Sequence, residues 1–90
     1  DGRIQMINWA KLPESSSFAA HYHEDMEEVF IILTGHVEMV INGKSIELVA
    51  GDTIFIAPRE VQTMRNLSTH DVEYIVLGIS TEAGGQTIVV

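Results

Sequence analysis

From Val37 to Leu48, apolar and polar residues alternate on both sides of an Asn42-Gly43 pair. A period of two sends successive side chains to opposite faces of a strand. Asn-Gly tolerates positive φ at both central positions of a two-residue turn. The pattern therefore predicts a hairpin in which Val37, Met39 and Ile41 on one arm, and Ile46 and Leu48 on the other, face a core. Similar β-branched and apolar runs recur, and they predict strands over residues 3–9, 17–23, 28–33, 36–41, 45–49, 53–57, 61–65, 72–79 and 86–90. Turn residues separate them: Ser15-Ser16-Ser17, Thr34-Gly35, Gly51-Asp52 and the looser Ala83-Gly84-Gly85. Pro58 closes the strand before it, because proline has no N–H for a central ladder. No long segment carries capped apolar positions at i, i+3, i+4 and i+7. Many short strands without helices predict an all-β sandwich or closed barrel.

Length and composition sharpen this picture. The 90 residues fit one domain spanning 1–90, and 46% hydrophobic content supports a core. A domain of this size buries a modest fraction of its surface, which makes added support from a dimer partner or a metal reasonable. There are no cysteines, so disulfides, iron–sulfur clusters and thiol nucleophiles are excluded. Their absence also leans towards a cytoplasmic location. Thirteen acidic and five basic residues give a formal charge of -8. Such a surface repels phosphate backbones, so no nucleic-acid partner is expected. No apolar run approaches the roughly 18 residues needed to cross a bilayer, and no signal peptide is visible, so no membrane partner is expected. The chain opens on Asp1 and not on methionine, which leaves open a natural segment before it.

The segment His21-Tyr22-His23 carries the most chemistry. Residues i and i+2 of a strand share a face, so both imidazoles can converge on one point. Neutral imidazole is the commonest metal ligand, and two histidines with one carboxylate form a facial triad. Glu24 and Asp25 read as solvated turn residues. Glu27 and Glu28 open the next strand and point to opposite faces, so only one faces inward. His36 and His70 read as surface residues, and Arg59 and Arg65 as charges at strand ends. Trp9, Phe18, Phe30, Met39, Phe55, Met64 and Tyr74 supply bulk, most of it to the core. No G-x-S-x-G elbow or Gly-rich phosphate loop is present.

These residues resemble the cupin superfamily, in particular its small single-domain members of the cupin 2 conserved-barrel type. The first cupin motif reads HxHxxxxE, then six residues and a glycine, and His21, His23, Glu28 and Gly35 fit that spacing. Glu27 would fit a shorter variant but would miss the glycine by one, so Glu28 is preferred. The second motif opens with Gly-Asp and runs to a proline, as Gly51-Asp52 to Pro58 does, and ends at an asparagine, here Asn66. Four residues before Asn66, where the family places a histidine, stands Gln62. The resemblance implies a cupin-type β-barrel (a double-stranded β-helix, or jelly roll) holding one divalent transition metal ion, Mn, Fe, Ni or Zn. Its metal ligands would be His21, His23, Glu28 and Gln62. An amide oxygen in place of imidazole shifts preference towards harder ions. Two alternatives stay open: Gln62 hydrogen-bonds a metal-bound water instead, or the site has decayed.

For activity the resemblance implies a metal-dependent enzyme acting on a small organic substrate, of dioxygenase, isomerase or lyase/decarboxylase type. The alternatives are a non-catalytic binding or sensing module, or a barrel whose metal is purely structural. It also implies a homodimer, and residues 3–9, apolar on both faces, suit burial between two subunits.

Overall fold

A computed structural model describes residues 3–18, 21–23, 26–80 and 87–89; for Arg3, Gln5, residues 21–23 and residues 87–89 only the backbone is described. The expected acidic turn at Glu24 and Asp25 and the expected joint at Ala83-Gly84-Gly85 lie outside the described residues.

The expected hairpin forms. Strands β4 (His36–Ile41) and β5 (Lys44–Val49) pair with Ile41 opposite Lys44, and Asn42 and Gly43 have φ of 49° and 81°. The other described strands are β1 (Arg3–Leu12), β2 (His21–His23), β3 (Met26–Ile32), β6 (Thr53–Ile56), β7 (Gln62–Asn66), β8 (Val72–Ser80) and β9 (Thr87–Val89). The expected strand over 17–23 divides: Ser17 makes a single bridge to Arg65, and β2 begins at His21. The strand expected over 3–9 continues to Leu12, because β8 pairs with it all the way to Val72.

All pairs are antiparallel. One sheet has the order β1-β8-β3-β6 and the other β5-β4-β7-β2-β9. The two sheets face each other as a jelly roll, the double-stranded β-helix architecture. Phe30, Ile32, Ile56, Tyr74 and Val76 from the first sheet meet Val37, Met39, Leu48 and Met64 from the second. Burial alternates residue by residue along β3 and β8, so each presents one face to this core. Among the described residues no helix is long and apolar enough to cross a membrane.

One expectation about burial needs correction. Ile46 has the inward-facing parity of Leu48 but is 44% exposed, because it lies on the edge strand β5 beyond the cover of the opposite sheet. Trp9 and Phe55 are 71% and 57% exposed. Both stand on the outer face of the first sheet. There Ile7, Leu77, Val29 and Phe55 form one cross-strand row, and Trp9, Ile75 and Ile31 form the next.

Gly35 shows why a glycine closes the first motif. Its φ is +87°, and an added Cβ would stand 2.6 Å from Val72 Cγ2 and 2.8 Å from Ser68 Oγ. Asn66 pins the same end of the barrel: its Nδ2 donates to the carbonyls of Leu12 and His70, and its Oδ1 accepts from Ser68 N.

Candidate functional site

β3 places Glu27 and Glu28 on opposite faces. Glu28 points into the barrel and is 3% exposed, while Glu27 is half-buried on the outer face. β7 comes from the other sheet and sends Gln62 inward, 1% exposed. The two side chains meet across the interior, where Gln62 Nε2 donates a hydrogen bond to Glu28 Oε1. Gln62 Oε1 is buried and has no hydrogen-bond partner among the described residues.

The two-histidine strand runs directly beside Gln62. β2 pairs with β7 through His21 opposite Gln62, and with β9 through His21 opposite Val89 and His23 opposite Thr87. The four residues expected at a metal thus lie on two strands that touch and a third that faces them. The imidazoles of His21 and His23 lie outside the described side chains. Among the described residues no group of three or more His, Cys, Asp or Glu clusters.

The interior also contains Tyr74, given by the sequence only as bulk. It lies on the inward-facing positions of β8, with its ring 5.8 Å from that of Phe30. Burial pushes its phenol above the ordinary value of 10.0, and the negative charge of Glu28 pushes it further. Its signal in the sequence was the run Val72, Tyr74, Val76 at a period of two.

The remaining candidates stay on the surface. His36 Nε2 lies 2.7 Å from Glu47 Oε1, both partly exposed. The exposed His70 ring has Nδ1 2.8 Å from its neighbour's carbonyl, Asp71 O. Arg65 pairs with Glu38 at 3.0 Å on the outer face of the second sheet, and Arg59 is exposed in the turn after Pro58.

A buried amide oxygen with no partner among the described residues costs about 1–3 kcal/mol. A cation beside it would offset that cost. The chemistry of the residues therefore fits a divalent metal, with Glu28 and Gln62 Oε1 offering oxygen ligands.

Comparison with known proteins agrees with the fold. The family model described as Cupin domain matches residues 8–78. An oxalate-binding protein of Thermotoga maritima is 34% identical over 67 residues, 74% of this chain and 55% of that protein. An uncharacterized protein of Methanocaldococcus jannaschii is 32% identical over 66 residues, 73% of this chain and 53% of that one. The chain thus spans about half the length of the curated relatives it matches. Among solved structures, a predicted oxalate decarboxylase of Thermotoga maritima superposes with a TM-score of 0.82 at 31% identity, covering 86% of this chain and 67% of that one. A cupin protein of Bacteroides fragilis superposes with a TM-score of 0.78 at 26% identity, covering 87% and 67%.

Proposed function

The chain belongs to the cupin family, and from that premise we propose that it is a metal-dependent protein acting on a small organic molecule, with His21, His23, Glu28 and Gln62 holding one divalent transition metal ion. The observation that carries this reading is the buried Gln62 Oε1, an acceptor without a partner among the described residues, set against the buried Glu28 carboxylate. Imidazole nitrogens with two kinds of oxygen suit Mn²⁺, Fe²⁺, Ni²⁺ or Zn²⁺. When bound, such an ion supplies Lewis acidity towards an oxygen of the substrate.

The chain's own residues have separate tasks. Glu28 would offset part of the ion's charge. Gln62 holds the Glu28 carboxylate through its amide N–H, and its oxygen would be free to ligate the ion. Tyr74, held protonated at neutral pH, is available to donate its phenolic proton in a hydrogen bond to a ligand oxygen. Phe30, Ile32, Met39 and Met64 keep water from the interior.

The relatives' names make oxalate the first probe. Protein purified without added metal should contain about one equivalent of metal per chain by elemental analysis. Calorimetry should show oxalate binding to loaded protein and none to stripped protein. Failure to retain any metal would overturn the reading. A second reading, binding without turnover, is favoured by the relative named for oxalate binding. Release of carbon dioxide from oxalate by loaded protein would exclude it.

The apolar outer face of the first sheet, with Ile7, Trp9 and Phe55 exposed, supports a homodimer that covers it.

A further inference from the structure

The inward-facing positions of the β4–β5 hairpin run out of the core towards its turn. On β4, Val37 and Met39 are fully buried and Ile41 is partly exposed. On β5, Leu48 is buried, Ile46 is 44% exposed and Lys44 is exposed. β5 is the last strand of its sheet and β6 the last of the other, so the barrel is open between them. The opening is a cleft of about 490 Å³. Ile41, Ile46 and Ile54 line it, and Lys44 and Glu60 bring charge to it. Ile41 is the cross-strand partner of Gln62, so the cleft abuts the candidate metal site.

Oxalate is two carboxylates with no apolar body, so Ile41, Ile46 and Ile54 add nothing to the hold a metal would have on it. The two charges in the cleft are also unequal. Glu60 Oε1 already accepts the Ala57 amide N–H at 2.7 Å. Lys44 makes no ion pair or hydrogen bond among the described residues. The chain carries five basic residues against thirteen acidic ones, so an ammonium at this mouth is a scarce attraction for an anion on a net-acidic protein.

We propose that this cleft binds a small organic acid with an apolar body of several carbons, whose carboxylate meets Lys44 and whose body lies on Ile41, Ile46 and Ile54. The proposal deepens the function given above, and rests on it, in taking the cleft for the ligand's seat beside the metal. The contact with Lys44 itself does not require the metal.

The test is a titration of isoleucine-methyl-labelled protein, metal-free and Zn²⁺-loaded, followed by NMR. The probes are 4-methylpentanoate and its neutral counterpart 4-methylpentan-1-ol. The acid should shift the Ile41, Ile46 and Ile54 methyls saturably and leave Ile4 and Ile7 in place. Lys44→Met, an exposed change that leaves the core intact, should weaken the acid by about three- to tenfold and leave the alcohol unchanged. Glu60→Gln should tighten the acid. Equal binding of acid and alcohol, insensitivity to Lys44→Met, or shifts only on the outer sheet face would overturn the proposal. Metal binding is followed separately by calorimetric Zn²⁺ titration of the same protein. An intact cleft in a protein that takes no metal would sink the metal reading alone, and a loaded protein that ignores the acid would sink this one alone.

Discussion

Glu27 and Glu28 are the same residue type at adjacent positions, and only the pleat of β3 separates their roles. The inward one is nearly inaccessible and bonded to Gln62; the outward one is not. Glu28→Gln should lower metal affinity by about 100-fold or more, since it removes a charged oxygen ligand, whereas Glu27→Gln should leave affinity within about twofold. Metal titration of both variants decides between them, and the reverse ranking would identify the wrong carboxylate. Gln62→His should tighten binding and shift preference towards softer ions, because imidazole nitrogen replaces a neutral amide oxygen. The direction in which Glu28 points was legible from the alternation of β3 and the spacing to Gly35. The buried, half-satisfied state of Gln62 was not. A lone glutamine on a short strand gives no sign of whether its partner lies across a barrel or in water.

At the scale of elements, parity was legible and depth was not. Ile46 and Leu48 share a face as the alternation requires, but β5 is an edge strand and only Leu48 is covered by the opposite sheet. Trp9 and Phe55 are the bulky residues that lie outside the core, for a related reason. The first sheet is apolar on both faces, so bulk does not reveal the side. The turns separate in the same way. Gly43 and Gly35 both have positive φ, yet an added Cβ meets nothing within 4 Å at Gly43 and clashes with Val72 and Ser68 at Gly35. Gly43→Ala should therefore cost about 1 kcal/mol of backbone strain alone. Gly35→Ala should cost about 3 kcal/mol or more, because overpacking adds to the strain. Urea denaturation of the two variants measures the difference, and equal losses would show that the contacts at Gly35 yield freely.

At the scale of the molecule, a 90-residue barrel has little stability to spare, and groups that bind only the folded chain should be visible in its melting. A metal at a hundredfold excess over its Kd adds about 2.7 kcal/mol, enough to raise the Tm by about 10 °C or more. That gain should vanish in Glu28→Gln. The proposed dimer contact on the outer face of the first sheet would add a second contribution. Ile7→Glu should shift a dimer to monomer in sedimentation experiments, and an unchanged mass would show that the rows through Ile7 and Trp9 are covered by something else or by nothing.

Two imidazoles, a carboxylate and an amide oxygen are proposed to share one ion inside the barrel. Anomalous scattering from crystals grown with Mn²⁺ tests it most directly. The predicted result is one strong peak per chain, bonded to Glu28 and to Gln62 Oε1 with His21 and His23 completing its protein ligands. A peak only among surface carboxylates, or an interior in which Glu28 and Gln62 bond each other with no ion beside them, would contradict it.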